Sequence, residues 1–224
     1  MNILVVAAHP DDELLGVGGT IRRHTSNGDR VDILIVGEGF TSRNADAGSL
    51  DSSRVSELKS CARSAAELLK ANEPEFLNLP DNRLDSINLL DIIKPIERVI
   101  GKVNPEVIYT HHSGDLNIDH RIVNNAVRTA ARPLPNSPVK TLYCFETLSS
   151  TEWGTDEFLP QRFVDIENVL PDKLRALSFY KQEMRAVPHA RSLQAVEALA
   201  KMRGASVGMV AAEAFSVVMD LLRA

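Results

Sequence analysis

The chain has 224 residues, 44% of them hydrophobic, and a formal net charge of -5. Length and apolar content fit one domain with a sizeable core. The acidic balance argues against nucleic acid as a partner, because a phosphate-binding surface is basic.

Residues 2–8 (NILVVAA) predict a fully buried strand, and residues 12–27 a helix stopped by Gly28. A second strand follows at 30–37, then a polar loop from Glu38 to Leu50. Asp51, Ser52 and Ser53 offer caps for a helix to about residue 72. Residues 75–79 predict a third strand and 89–103 a third helix, in which Pro95 should mark a kink or the true start. A fourth strand spans 106–111, a fourth helix 119–132, and a fifth strand 139–146. Beyond residue 150 the rhythm changes. A short strand is predicted at 162–167, helices at 172–185 and 192–202, and a late strand at 213–222.

The first five strands are mostly continuous apolar runs alternating with helices. That pattern predicts an α/β, Rossmann-like three-layer fold with a mostly parallel sheet of core order 3-2-1-4-5. The reading is one domain over 1–224, with a core at 1–148 and a C-terminal extension at 149–224 that contributes to the pocket. Cys61 and Cys144, the only cysteines, read as small core residues of a reducing compartment. With no leader-like start and no apolar stretch of membrane-spanning length, a cytoplasmic location is expected. A homo-oligomer is compatible with the sequence.

Two polar clusters carry the chemistry. His9-Pro10-Asp11-Asp12-Glu13 ends the first strand, and residues 111–120 (HHSGDLNIDH) end the fourth. In the predicted order those strands are neighbours at the point where the strand order reverses, which is where ligands bind. His9 and Asp12, three residues apart across a strand-to-helix turn, can aim at one point, and His120 comes from the neighbouring turn. Two imidazoles and a carboxylate suit a catalytic zinc site, and iron and other divalent ions suit similar donors. Asp11 is placed to take a proton from a water. Alone, Asp11 or Asp12 would read as a helix N-cap, as Asp119 does for the fourth helix. Gly16, Gly18 and Gly19 each cost about 1 kcal/mol against alanine within a helix. Close packing of this helix on the sheet is the expected reason.

The A-H-P-D-D-E motif, the Gly-rich helix after it and the later D-x-x-x-D-H resemble the LmbE-like, or PIG-L, family of zinc-dependent N-acetylglucosamine-type deacetylases. Further echoes are Glu38 to Arg43, Arg54 to Glu57, Leu79 to Asn82, Pro188 to Ser192 and Ala212 to Phe215. The resemblance implies removal of an N-acetyl group from an amino sugar or its conjugate, the sugar nucleotide- or lipid-linked in some cases. It implies His9, Asp12 and His120 as zinc ligands and Asp11 as general base. Many members carry a histidine where this chain has Asn117. An asparagine can donate a hydrogen bond to an oxyanion but cannot act as an acid. His112, His111, His189 or protonated Asp11 are the substitutes.

Several other residues have two readings each. His189 and Arg191 read as substrate-binding groups closing over the pocket, or as a surface loop. Asp81 reads as a ligand for a sugar hydroxyl, or as a turn residue. Arg54 and Arg43 read as substrate contacts, or as a helix-surface ion pair and an exposed loop arginine. Trp153 is expected in the core, with sugar stacking as the alternative, and His24 is expected on a solvated face. Two other functions fit the switch point: a metal-dependent phosphoesterase, and a non-catalytic nucleotide- or sugar-binding module.

Overall fold

The computed structural model describes residues 1–40 and 52–222. Five parallel strands form the body of the sheet: β1 (Asn2–Ala7), β2 (Arg30–Gly37), β3 (Glu75–Leu79), β4 (Val107–His111) and β5 (Thr141–Phe145). Two later strands, β6 (Arg162–Asp165) and β7 (Ala212–Asp220), extend it to seven in the order β3-β2-β1-β4-β5-β7-β6. β7 runs antiparallel to β5, and β6 antiparallel to β7. The parallel core therefore has the expected 3-2-1-4-5 order. β1 and β4 pair directly, with Ile3 opposite Val107 and Val5 opposite Tyr109.

The alternation of side chains in β1 divides the core in two. Ile3 and Val5 face a layer built from α1 (Asp12–Ser26), α2 (Ser52–Leu69) and α5 (Leu170–Leu177). Leu4 and Val6 face α3 (Leu89–Val103) and α4 (Ile118–Ala130). Both faces are buried, which is why the strands read as unbroken apolar runs. α6 (Leu193–Ala205) packs beside β7. α3 runs continuously through Pro95, held by its buried stripe Ile92, Ile93, Ile96, Val99, Ile100 and Val103. Gly28 takes φ 81° just beyond α1, and its N–H donates to Thr25 O (3.2 Å). That is the left-handed stop a glycine adopts most readily.

The Gly-rich stretch of α1 lets other elements touch the helix backbone. A Cβ on Gly16 would lie 2.1 Å from a ring carbon of Phe145, and one on Gly19 would lie 2.8 Å from Ile166. A buried ion pair uses the same opening. Lys173 Nζ lies 2.6 Å from Glu213 Oε1, and Glu213 also accepts the Gly19 and Thr20 N–H groups (2.8 and 2.7 Å). Lys173 in turn donates to Leu15 O (2.9 Å). α5 and β7 are thus stitched into the main chain of α1.

Some expectations are corrected. The helix expected over 172–185 ends at Leu177. The chain turns there so that Tyr180 enters the core and donates its hydroxyl to Glu13 Oε1 (2.9 Å). His24 is not solvated: it is half-buried between Asp29 (2.7 Å) and the Tyr109 hydroxyl (3.0 Å). Trp153 is 71% exposed rather than packed in the core. Cys144 is buried, whereas Cys61 is only half-buried. No helix among the described residues is long and apolar enough to cross a membrane.

Candidate active site

The turn after β1 brings His9, Asp11 and Asp12 to the carboxyl end of the sheet, and α4 brings His120 to the same place. One ligand atom each from His9, Asp12 and His120 lies within 4.8 Å of the others, and all three residues are buried. Asp12 Oδ2 is 3.3 Å from His9 Nδ1 and 3.1 Å from His120 Nε2. The arrangement fits a cation better than a hydrogen-bond network. Asp12 Oδ1 and both ring nitrogens of His120 are buried without a well-directed hydrogen bond. Buried polar atoms left this way normally have a partner, and a divalent ion would supply one to Asp12 Oδ1 and His120 Nε2.

The remaining contacts fix which ring nitrogen faces the cluster. His9 Nε2 lies 2.9 Å from Asp119 Oδ2 and 3.2 Å from Asp81 Oδ1, which leaves Nδ1 for a metal. Asp119 is itself held by the N–H groups of Asn82 (2.7 Å) and Leu84 (3.0 Å). His120 Nδ1 faces Asp115 Oδ1 at 3.1 Å, which leaves Nε2. Carboxylates behind metal-binding imidazoles orient the rings in this way. His111 stacks on His120 with ring centroids 3.9 Å apart, but its Nε2 accepts the Ala8 N–H (2.8 Å). Burial, with the neighbouring His120, holds His111 well below the usual range, so it is neutral and serves as a cap on β1.

Burial raises the Asp11 carboxyl to about 7 despite the opposing pull of Arg191. Asp12 behaves oppositely: burial disfavours its charge, but His120, His9 and His111 together hold its carboxyl well below the usual range. Two adjacent carboxyls are thereby driven apart, one suited to stay ionised and one to exchange a proton. Asp11 has φ 103°, a left-handed conformation rare outside glycine. Its N–H donates to Glu13 Oε2 (2.9 Å), and its Oδ2 receives Arg191 Nη1 (3.0 Å). Strain at a residue held by several partners is typical of functional positions.

The other sequence candidates lie at varying distance from this centre. Arg191, from the segment before α6, reaches Asp11 directly and also donates to Ser149 Oγ (2.9 Å). His189 is exposed and lines an open cleft of about 290 Å³ with Ser149, Glu183, Arg185 and Arg191. Asp81 is turned onto His9. Asn117 is the N-cap of α4, accepting the Asp119 N–H (2.8 Å) while its amide donates to Asn82 Oδ1 (2.9 Å). Asn117, rather than Asp119, therefore caps this helix. His112 Nε2 faces the Asp156 carbonyl at 3.3 Å, and its ring meets Phe158 edge-on. Arg54 pairs with Glu57 (2.9 Å) and touches Gln182 beside a separate cleft of about 130 Å³. Arg43 lies outside the described residues.

Sequence reasoning missed Asp115, Asp119 as an orienting group, Glu13, Tyr180 and Ser149. Asp115 and Asp119 carried a usable signal: imidazole ligands need carboxylates behind them, and both lie within five residues before His120. Tyr180 and Ser149 carried none, because only the tertiary fold brings them in.

Comparison with known proteins shows the family and the fold. Residues 4–131, more than half of the chain, match the family described as PIG-L: GlcNAc-PI de-N-acetylase. A probable N-acetyl-alpha-D-glucosaminyl L-malate deacetylase 2 of Bacillus cereus is 28% identical over 83% of this chain and 85% of its own. The N,N'-diacetylchitobiose deacetylase of Pyrococcus horikoshii superposes with a TM-score of 0.78 at 18% identity, covering 97% of this chain and 83% of its own. GalB of Pseudomonas putida, a 4-carboxy-2-hydroxymuconate hydratase, also gives 0.78, at 23% identity over 100% and 99%. The fold alone thus accommodates two chemistries. With its sequence matched from the first strand through the fourth helix, the chain belongs to the PIG-L family of de-N-acetylases.

Proposed function

We propose that the protein removes the N-acetyl group from a glucosamine-type sugar, free or carried on a larger group, releasing acetate and a free amine. We assign His9, Asp12 and His120 as the ligands of a zinc ion, a donor set that ferrous iron also suits. The observation that carries the reading is the buried convergence of His9, Asp12 and His120, in which Asp12 Oδ1 and His120 Nε2 lack directed hydrogen bonds, with the Asp11 carboxyl beside it. A bound metal would polarise the acetyl carbonyl and bring the pKa of water to about 7.

Asp11 takes the proton from the attacking water at its carboxylate. Arg191 holds that carboxylate in place through Oδ2. The same carboxyl then returns the proton to the departing amine nitrogen. His111 is tied to the Ala8 N–H and His112 is turned to the Asp156 carbonyl, so neither is free for that step. The Asn117 amide, at the rim of the site, contributes a hydrogen bond to the oxyanion in exchange for its bond to Asn82. His189 and Arg191 line the cleft where the sugar enters. Asp81 acts through His9, and Arg54 is left as an outer contact for a longer substrate.

The test is free-amine release from N-acetylglucosamine and its glycosides, run beside phosphate release from sugar phosphates. Amine without phosphate, abolished by a chelator and restored by zinc, is expected. Phosphate without amine would make the protein a phosphoesterase. Sugar binding with neither product, by protein that takes up no metal, would make it a binding module.

A further inference from the structure

Trp153, the only tryptophan in the chain, is 71% exposed, yet the turn that carries it is firmly held. The turn Thr151–Trp153 is anchored on Asp115, the carboxylate behind His120. Thr151 Oγ1 donates to Asp115 Oδ2 (2.6 Å), and Ser150 Oγ contacts Asp115 Oδ1. The preceding Ser149 has φ 73° and is pinned from two sides. Its N–H donates to Glu152 Oε1 (2.7 Å), and its Oγ accepts from Arg191, which also grips Asp11. The backbone that carries the indole is therefore held in a fixed place relative to both the candidate ligand His120 and the candidate base Asp11. Beside it lies a cleft of about 560 Å³ lined by Ser149, Glu152, Trp153, Pro188, His189 and Ala190. This cleft shares Ser149 and His189 with the smaller one that holds Arg191.

We propose that Trp153 is the platform of a second sugar subsite, taking the pyranose ring that follows the N-acetylated one in a disaccharide substrate. The proposal rests on the deacetylase reading above. A pyranose presents a C–H face that stacks on an aromatic ring, while its edge requires hydrogen bonds. The indole supplies the apolar surface, and the exposed His189 imidazole supplies a polar group at the edge. A turn held by several hydrogen bonds lowers the ordering cost of binding to that of the indole's own two side-chain torsions.

Because no other tryptophan is present, fluorescence of the intact, zinc-loaded protein excited beyond the absorption of its three tyrosines comes from Trp153 alone. In Asp11→Asn protein, a disaccharide of N-acetylglucosamine should change the emission saturably, and N-acetylglucosamine itself should not. In steady-state kinetics, Trp153→Ala should lower the ratio of kcat/KM for disaccharide over monosaccharide about threefold to tenfold, with Trp153→Phe recovering most of it. Amine release from the disaccharide with no emission change, and an unaltered ratio in Trp153→Ala, would overturn the subsite and leave the deacetylase reading standing. If neither sugar yields amine, the deacetylase reading fails. The emission titration then decides the subsite by itself: a saturable change keeps it, and a flat trace removes it.

Discussion

Arg191 and Asp11, 180 residues apart in the chain, meet in a 3.0 Å ion pair beside the candidate metal cluster. The contact explains how an acid can be buried at the start of α1 with a strained backbone. The guanidinium arrives from the C-terminal segment and is itself braced by Ser149. Replacing Arg191 with Met leaves Asp11 buried without its cation. Without the guanidinium the Asp11 carboxyl should hold its proton still more tightly, so at neutral pH the base should be mostly protonated and kcat/KM should fall about 10-fold or more. Arg191→Lys should recover part of the loss, since a lysine keeps the charge but not the fork that spans Asp11 and Ser149. An unchanged kcat/KM in Arg191→Met would remove Arg191 from the mechanism.

Asp115 should matter to metal affinity as well as to the turn it anchors. Its carboxylate faces His120 Nδ1 at 3.1 Å and also gathers Ser150 and Thr151. Asp115→Asn keeps the shape but loses the charge that orients the imidazole. Zinc affinity, read by competition with a chromophoric chelator, should weaken about 10- to 100-fold. Equal affinity in mutant and wild type would mean that His120 is oriented by packing alone.

The Lys173–Glu213 pair should be a large single contributor to stability. Glu213→Gln leaves the Lys173 ammonium buried beside a neutral amide, and about 3 kcal/mol should be lost. Lys173→Met combined with Glu213→Gln should lose less than the sum of the two single changes, because the pair fails together. Urea unfolding midpoints at constant slope measure this. Additive losses would show that the two side chains act independently.

Two glycine substitutions in helices should move stability in opposite directions. Gly16→Ala drives a methyl group to within 2.1 Å of the buried Phe145 ring and should cost about 1–3 kcal/mol by overpacking. Gly101, exposed in α3, meets nothing within 4 Å, so Gly101→Ala should stabilise by about 0.5–1 kcal/mol. Thermal midpoints compare them directly, and a stabilised Gly16→Ala would contradict the close-packing account of the Gly-rich helix.

The parallel core was legible because both faces of its strands are buried, so β1 and β2 announce themselves as apolar runs. The convergence of His9, Asp12 and His120 followed from strand order, since β1 and β4 are neighbours at the switch point. What escaped the sequence was whatever depends on where the C-terminal segment lands. The end of α5 at Leu177 is set by the fit of Tyr180 against Glu13, which no local pattern encodes. His24 lies on a polar stretch of α1, yet Asp29 and Tyr109 enclose it. Trp153 read as a core residue by composition, but the turn that bears it is fastened through Thr151 and Ser150, leaving the ring outside. Asp119 looked like a helix cap because a carboxylate in a first turn usually is one. Asn117 takes that task and frees Asp119 for His9.

The most direct test is zinc stoichiometry and amine release measured together on three proteins. Wild type should hold one zinc per chain and release amine. Asp12→Ala should hold none and be inactive, whereas Asp11→Asn should keep the zinc and lose turnover by about 100-fold or more. If Asp12→Ala retains a full equivalent of zinc, the ion is bound elsewhere and the assigned centre is wrong.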